Sequence, residues 1–299
     1  MKWKNLIKVA LKSIFKNKMR TLLTMLGIII GVTAVIVMVA IGQGAEQRIQ
    51  NQISSLGTNL IMVFPSAARQ GGVSMGAATG AQLTMEDVER LKKEGTQLLA
   101  ISPVVRSGAQ VIGGTGNWNT SCYGTSEEYL TIRQWDLASG DFFGESDIRA
   151  RSKVCVIGAT VAKNLFPGDD PVGQPLRVRN VPFKIVGVLK ERGQDTFGHD
   201  QDDVIIAPYT TVLIRLAGMA VRGIGQVLCS AQTLGQMPAA QAEIKSILRE
   251  SHRIPEGDDD DFTIRNQTDI AATAEETTRT MTILLASIAS ISLLVGGIG

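Results

Sequence analysis

The sequence predicts a membrane protein in which two transmembrane α-helices flank a large α/β extracytoplasmic domain. Residues 22–41 form a run of twenty residues without a charge, and residues 280–299 form a second. A bilayer hydrocarbon core of about 30 Å is crossed by roughly 20 apolar residues in a helix. The stretch between the two runs alternates short apolar segments with polar helical patterns, which is typical of a mixed α/β domain.

The charges around the first run predict its orientation. Residues 1–20 carry seven basic residues and no acidic one, and the first acidic residue is Glu46. The positive-inside bias places this N-terminal segment in the cytoplasm and the domain after the run on the other side of a bacterial inner membrane, in the periplasm or outside the cell. A secretory signal peptide is the alternative, but its apolar region is usually only about 7 to 15 residues long.

These patterns divide the chain into four parts. Residues 1–20 are a cytoplasmic amphipathic helix, 21–43 the first transmembrane helix, 44–278 the extracytoplasmic domain, and 279–299 the second transmembrane helix. A helix returning to the cytoplasm usually precedes basic residues. Because none follows the second run, we expect the sequence to be the N-terminal part of a longer protein.

The N-terminal segment has the pattern of a helix that lies on a membrane surface. Four lysines recur every fourth residue, at Lys4, Lys8, Lys12 and Lys16. Ile7 and Ile14 belong to the apolar face on the opposite side. We expect the lysines to meet lipid phosphates and the isoleucines to meet the acyl boundary of the bilayer. The alternative is that the lysines only set the topology.

Small residues at four-residue spacing predict close helix packing in both runs. Gly27 and Gly31 form a G-x-x-x-G pair in the first, and Ala286 and Ser290 are four apart in the second. Such pairs let a neighbouring helix approach closely, although glycine is common in transmembrane helices whether or not they pair.

The region between the runs predicts specific elements. Thr84 with Asp87 has the pattern of a capping box at a helix start, and Ile244, Ile247 and Leu248 form an apolar stripe on a later helix. The turn 113–117 separates two strands. The other predicted strands are residues 60–64, 154–158, 176–180, 183–189 and 262–266, and residues 66–81 are predicted to be a linker rich in small residues.

The sequence contains no catalytic constellation. It has no phosphate-binding G-x-x-x-x-G-K-[ST], no H-E-x-x-H and no G-x-S-x-G, so we expect neither an enzyme nor a bound cofactor or metal. The acidic clusters at Asp200, Asp202 and Asp203 and at 258–261 lack the alternating pattern of a calcium loop and are predicted to be solvated. Aromatic residues make up 5% of the chain, and no aromatic-lined pocket can be identified from the sequence.

The charge balance and the cysteines exclude one class of partner and one class of fold. Residues 21–299 carry 23 basic and 28 acidic residues, a net charge of −5, and this excludes a nucleic-acid partner. The cysteines Cys122, Cys155 and Cys229 are odd in number and widely spaced, so they form no disulfide framework. One pair could bridge in an oxidising compartment, and their spacing does not say which.

An ordered series of segments resembles the MacB-like ABC transporter permeases, of the macrolide-exporter and FtsX-like type. The segments are SSLGTNLIMVFP after the first run, SPVV at 102–105, NWNTSCYGTSEEYLTIRQWDLASGDFF at 117–143, KVCVIGATVAKNLFPGDDPVGQPLRV at 153–178, HDQDDVIIAPYTT at 199–211 and SISLLVGGIG at the end. The resemblance covers essentially the whole chain. The series in order is much more specific than any single motif.

The resemblance implies a two-lobed extracytoplasmic domain. Residues 45–125 with 224–278 correspond to a membrane-proximal lobe, and 126–223 to an inserted lobe. It also implies a permease that works as a homodimer with a separate ABC ATPase subunit, a periplasmic adaptor and an outer-membrane channel. ATP-driven motion would pass to the outer domain and drive efflux. We further expect the acidic loop of Asp200, Asp202 and Asp203 to contact a partner. A membrane-anchored binding or sensor module is the alternative.

Overall fold

A computed structural model of the chain describes residues 3, 5, 7, 8, 18–56, 59–66, 69–70, 73–74, 82–114, 116–194, 198–216, 223–266, 276, 279–288, 290, 291 and 294. The chain forms two compact units. The helical unit comprises Met1–Asn51 with Ala271–Gly299, and the α/β unit comprises Gln52–Ile270.

The helices are α1 (Lys18–Leu56), α2 (Met85–Glu94), α3 (Tyr129–Arg133), α4 (Glu145–Ala150), α5 (Ala159–Leu165), α6 (Tyr209–Arg215), α7 (Met237–Ser251) and α8 (Arg279–Ile288). The strands are β1 (Leu60–Pro65), β2 (Arg69–Gln70), β3 (Val73–Ser74), β4 (Leu98–Gly113), β5 (Gly116–Thr125), β6 (Leu137–Gly140), β7 (Val154–Ile157), β8 (Pro175–Val178), β9 (Val181–Leu189), β10 (Val204–Pro208), β11 (Gln226–Ala231) and β12 (Phe262–Asn266).

The helical unit contains one described helix with the length and composition of a membrane span. Its apolar part is Thr21–Gly44, within the 39-residue helix α1. At 1.5 Å per residue this part is about 36 Å long, enough to cross a bilayer. Helix α8 is apolar but only ten residues of it are described in continuous order. The first predicted span therefore fits a described helix, and the second stays a prediction.

The α/β unit is built on a ten-stranded sheet. Nine strands follow the order β12-β1-β11-β4-β5-β10-β7-β9-β6, and β8 pairs with both β4 and β9. The 16-residue strand β4 changes partner along its length. It pairs with β11 as far as Val104, and with β5 from Val105 onward. Pro103 lies at this change of partner, where a missing backbone N–H is tolerated more readily than in a continuous central strand.

Three hydrophobic clusters cover the two faces of the sheet, and β4 contributes to each of them. Ile101 belongs to the cluster under α2 and α7, Val104 to the cluster under α3 and α4, and Val105 to the cluster under α5 and α6. Alternate residues of a strand point to opposite faces, so Ile101 and Val105 share one face and Val104 lies on the other. The sheet is therefore covered on both faces.

The proposed division into lobes crosses this sheet. Val105 and Cys122, which precede the predicted lobe boundary at residue 125, pack in the same cluster as Cys155 and Val212. Helix α6 approaches β5 so closely that a Cβ at Gly124 would lie 2.7 Å from the Val212 Cβ. The boundaries 45–125, 126–223 and 224–278 stay a prediction.

Several local predictions are confirmed. Thr84 caps α2, its hydroxyl accepts from the Asp87 backbone N–H, and the Asp87 carboxylate accepts from the Thr84 N–H at 2.7 Å. Ile244, Ile247 and Leu248 are buried on α7. The turn between β4 and β5 contains Gly114, whose φ of +50° favours glycine. The predicted linker 66–81 contains the short pair β2–β3, and most of its other residues lie outside the described residues.

The three cysteines are separate buried thiols, so the bridge left open by the sequence does not form. Burial raises the pKa of both Cys122 and Cys229 to about 12, which keeps these thiols protonated and unreactive. Their role is that of small hydrophobic core residues.

One polar network joins α2, α7 and the loop before β12. The His252 ring lies between two carboxylates, with Nε2 3.2 Å from Asp87 Oδ2 and Nδ1 2.7 Å from Asp261 Oδ1. The hydrogen bonds to Asp87 and Asp261 raise the pKa of His252 to about 9, against the effect of burial. Burial alone would raise the pKa of Asp87, but hydrogen bonds from His252, Ser251 and Thr84 hold it well below its usual range. His252 has no companion at ligand spacing in the sequence, but in the fold it has two carboxylate partners. The expectation that 258–261 are solvated is corrected at Asp260 and Asp261, which form ion pairs, while Asp258 and Asp259 are exposed.

This network predicts a pH-dependent stability. Below about pH 6.5 the imidazole is protonated in both the folded and the unfolded chain, so its contribution is complete. It is lost as pH rises from about 6.5 through 9, because the unfolded chain releases its proton first. The Asp87 contribution is present above about pH 4 and is lost at lower pH. Urea unfolding of the α/β unit in the micelle-bound chain should therefore show stability falling by on the order of 2 kcal/mol between pH 6 and 9.

His252→Gln is the control for this prediction. It removes the titrating group, so the unfolding midpoint should be lower at pH 6 and nearly constant up to pH 9. A wild-type midpoint that rises between pH 6 and 9 would contradict the ionic role of His252.

Candidate functional site

A cleft of about 380 Å³ opens on one face of the sheet of the α/β unit. Its lining side chains come from five strands, helix α3 with the loop after it, and the loop before β10: Met62, Phe64, Val104, Tyr123, Tyr129, Arg133, Trp135, His199, Asp200, Gln201, Asp203, Val204, Gln226 and Leu228. Met62 pairs with Leu228 and Val104 with Gln226, so these residues project from one face at adjacent positions. The cleft is thus built by sheet register from segments far apart in the sequence.

The aromatic wall of the cleft is held rigidly. Trp135 is 5% exposed, and its indole N–H donates to the Lys190 carbonyl at 2.8 Å. The Arg192 guanidinium lies over the Trp135 ring, 4.7 Å from its centroid, and donates to the Arg133 carbonyl at 2.7 Å. Burial, and then the charge of Arg133, lower the pKa of Arg192. The structure therefore contains an aromatic-lined cleft, although none could be identified from the sequence.

Arg133 brings a positive charge to this wall. It lines the cleft, and its buried Nε has no hydrogen-bond partner among the described residues. Tyr129, one helical turn earlier, is buried, and burial raises the pKa of its phenol. At the rim, the Arg106 guanidinium lies 5.7 Å from the centroid of the Tyr123 ring. This side of the cleft therefore combines aromatic faces with cationic groups.

The predicted partner-contact loop also contributes to the cleft, and its three aspartates have different environments. Asp202 is 1% exposed, and its carboxylate accepts from the backbone N–H groups of Arg192, at 3.0 and 3.1 Å, and of Gly193, at 2.7 Å. The Asp202 carbonyl also lies 2.0 Å from where a Cβ at Gly158 would stand. Asp202 is therefore an internal brace of the loop, and the expectation of a fully solvated loop is corrected at this residue.

Asp200 and Asp203 face the cleft. Asp200 is exposed and accepts from the Thr160 hydroxyl at 2.6 Å and from the Asp202 N–H at 2.8 Å. Asp203 accepts from the Trp118 indole N–H at 2.9 Å. Both side chains line the cleft, so the lining contains two carboxylates as well as Arg133. Contact of this loop with a partner stays a prediction, and it rests on Asp200 and Asp203 rather than on Asp202.

The other predicted site residues belong to the helical unit. Ile7 and Lys8 are helical and exposed, while Lys4, Lys12, Lys16 and Ile14 lie outside the described residues. Gly31 is buried and Gly27 partly buried in α1. Ala286 is partly buried in α8, and its carbonyl accepts from the exposed Ser290 hydroxyl at 2.8 Å. Membrane-surface contact and helix packing through these residues remain predictions.

The cleft is suited to recognition through apolar, aromatic and charged contacts at once. The described residues contain no group of three side chains placed to hold a metal ion. Sequence reasoning missed Tyr123, Tyr129, Arg133 and Trp135. The local signal was their spacing within residues 123–135, where two tyrosines and a tryptophan occur in thirteen residues of a chain with few aromatics.

Comparisons with known proteins identify the family. The family model described as the MacB-like periplasmic core domain matches residues 21–247. The Macrolide export ATP-binding/permease protein MacB of Syntrophobacter fumaroxidans is 35% identical, over 100% of this chain and 49% of its own length. That of Azoarcus sp. is 39% identical, over 98% of this chain and 43% of its own length. The chain belongs to the MacB-like permease family.

Solved structures agree with the MacB-like fold. The periplasmic region of MacB from Actinobacillus actinomycetemcomitans superposes with a TM-score of 0.61 at 23% identity, covering 76% of this chain and 97% of that one. The extracellular domain of the noncanonic ABC-type transporter YknZ from Gram-positive bacteria gives 0.56 at 17% identity, covering 70% of this chain and 100% of that one. The chain spans about half the length of the curated relatives that it matches.

The contrast between Asp202 and Asp200 gives a prediction for the cleft. Asp202→Ala leaves the buried N–H groups of Arg192 and Gly193 without their acceptor, which costs about 2 kcal/mol of folding free energy. Asp200→Ala removes the bonds from the Thr160 hydroxyl and the Asp202 N–H at an exposed position and should cost less than about 1 kcal/mol. Urea unfolding of both variants checks this order. Equal losses, or a larger loss for Asp200→Ala, would contradict the bracing role of Asp202.

Proposed function

We propose that the chain is the permease unit of an ABC-type export system. In this proposal it passes ATP-driven motion from a cytoplasmic ATPase to the extracytoplasmic domain, and the motion of that domain drives efflux. The observation that carries the proposal is the family membership, since relatives matched over 98–100% of this chain are named macrolide export ATP-binding/permease proteins. The exported substrate is left open.

The proposed topology rests on the charge pattern and on helix α1. The seven basic residues before Thr21 place the N-terminus in the cytoplasm. Helix α1 crosses the membrane once, and the second predicted span, which includes α8, returns the chain. The α/β unit then lies in the periplasm or outside the cell. The periplasmic core domain of the matching family model supports this side.

The proposed transmission uses the continuity of α1. The helix extends from Gly44, at the end of its apolar part, to Leu56 without interruption. These twelve residues are about 18 Å of helix. They lead to β1 only four residues later. We propose that a tilt or shift of the span is passed along this helix toward the α/β unit.

The proposal requires partners. ATP hydrolysis is assigned to an ABC ATPase, and we keep the expectation that it is a separate subunit. A second permease copy would pack through the faces of Gly27 and Gly31 and of Ala286 and Ser290. An adaptor and an outer-membrane channel would complete a tripartite exporter. The acidic loop of Asp200 and Asp203 is a candidate contact for such a partner, and the N-terminal helix is the contact with the bilayer.

A second function is favoured by the cleft. Its aromatic and charged lining could bind a ligand in a domain that the membrane helices only tether, as in a receptor or sensor. In that case the N-terminal helix would serve as an anchor. The two functions differ in what a change in this helix does to ATP-dependent export.

We call it the lever hypothesis that the N-terminal helix, lying at the inner leaflet, takes part in transmitting the motion. It predicts that Ile7→Asp with Ile14→Asp uncouples ATP turnover from export in the full-length permease. The new charges face the acyl boundary and cost up to about 3 kcal/mol each where they are buried. Insertion should persist, because Thr21–Gly44 dominates it. Export per ATP hydrolysed should fall several-fold at matched expression, measured in proteoliposomes or as export-dependent resistance.

The matched control is Ile7→Leu with Ile14→Leu, which keeps the apolar face and should export as the wild type does. Normal export by the aspartate variant would contradict the lever hypothesis and favour tethering. Loss of membrane insertion would be detected by fractionation and would contradict the dominance of the first span.

A further inference from the structure

Strand β12 is the end strand of the ten-stranded sheet and pairs with β1 alone among the described residues. The Ser66 N–H donates to the Asp261 carbonyl at 2.8 Å. This bond determines which opposed residue pairs of β1 and β12 are hydrogen-bonded to each other. Bonded pairs alternate, so Thr263 bonds to Phe64 and Arg265 bonds to Met62.

Phe262 and Ile264 therefore direct their backbone N–H and C=O groups away from β1. The hydrogen bonds between β1 and β11 agree with this assignment, because the Asn59 carbonyl accepts from the Ala231 N–H at 3.0 Å. The side chains of Phe262 and Ile264 pack on the hydrophobic cluster under α7. Backbone groups at such an edge are a template for another strand.

A groove of about 400 Å³ runs along this edge between β12 and α7. Its lining is Gln241, Ala242, Lys245, Asp260, Phe262, Thr263 and Ile264. The buried stripe of α7 faces the sheet, so the helix presents a different side to the groove. The small, exposed Ala242 leaves room beside the strand edge. A strand edge beside a helix is a geometry in which extended peptides bind by strand addition.

The charge around the groove is uneven. At the start of β12, Asp260 is paired with Lys245 at 2.9 Å and with Arg249, and Asp261 is paired with His252. The carboxylates of Glu256, Asp258 and Asp259 are exposed and form no ion pair with the described residues. This end of the groove therefore carries uncompensated negative charge, which complements a basic segment.

We propose that the groove binds an extended peptide segment of a partner protein, which adds to β12 as an antiparallel strand. Antiparallel pairing is slightly the more stable arrangement per residue. It places the C-terminal end of the peptide at the start of β12, so lysine or arginine residues at that end lie over Glu256, Asp258 and Asp259. Main-chain hydrogen bonds to Phe262 and Ile264 give affinity, and the acidic end of the groove determines the direction in which the peptide binds.

The first test uses a synthetic fluorescent peptide, acetyl-Thr-Val-Thr-Val-Thr-Lys-Lys-amide, and the full chain in micelles. We expect saturable binding by fluorescence anisotropy. Ile264→Pro removes the outward N–H and leaves the ladder to β1 intact, since proline is tolerated on edge strands. It should weaken binding at least tenfold, whereas Ile264→Val should bind as the wild type does. Absence of wild-type binding up to millimolar peptide, or unchanged binding by Ile264→Pro, would overturn the proposal.

Two further variants keep the test decisive if Ile264→Pro unfolds. Ala242→Trp fills the groove from the helix side and should also abolish binding. Asp258→Lys with Asp259→Lys should weaken the Lys-ended peptide and strengthen an otherwise identical Glu-ended one. Equal binding of a peptide with its lysines at the N-terminal end would contradict the antiparallel direction. Binding that persists in Ala242→Trp would contradict the groove itself.

Discussion

The α/β unit depends on strand β4. Its sixteen residues pair first with β11 and then with β5 and β8, and the change from β11 to β5 falls within three residues at Pro103 to Val105. Because β4 places side chains in all three hydrophobic clusters, neither part of the sheet can lose this strand without opening a core on each face. The strand is the shared element of the two regions assigned by resemblance to different lobes.

This constraint organises the candidate sites. The cleft lies on the face of the sheet to which Val104 contributes, with Tyr123 on the next strand and the loop of Asp200 and Asp203 at its rim. The groove along β12 lies at the end of the same sheet. The hydrogen-bonded strands of one sheet therefore connect the cleft with the groove. Rigid-body motion of a domain of this kind needs such continuity.

Short-range features were the ones predictable from the sequence. The capping box of Thr84 and Asp87, the turn at Gly114 and the stripe of Ile244 and Leu248 were predicted, because each depends on residues within a few positions of one another. The family was recognised from segments in order, and the family comparison confirms it. By contrast, the burial of Asp202 was not predicted, because it depends on the backbone at Arg192, ten residues away.

Long-range features could not be predicted, for a physical reason. The cleft joins Phe64, Trp135 and Leu228, which only strand register brings together. The ionic bridge of His252 needs Asp87, 165 positions earlier, and no local pattern marks that pairing. Within the second acidic cluster, the ion pairs of Asp260 were not predicted because its partners Lys245 and Arg249 lie on the preceding helix.

If β4 makes the α/β unit one cooperative, rigid body, the two halves of this strand must unfold together. Native-state hydrogen exchange of the micelle-bound chain at increasing denaturant compares the amides of residues 98–104 with those of 106–113. We expect the slowest amides of both halves to open with the same free energy and the same denaturant dependence. Exchange of 106–113 through a separate, much lower-energy opening, with 98–104 still protected, would show that β4 does not unite the sheet.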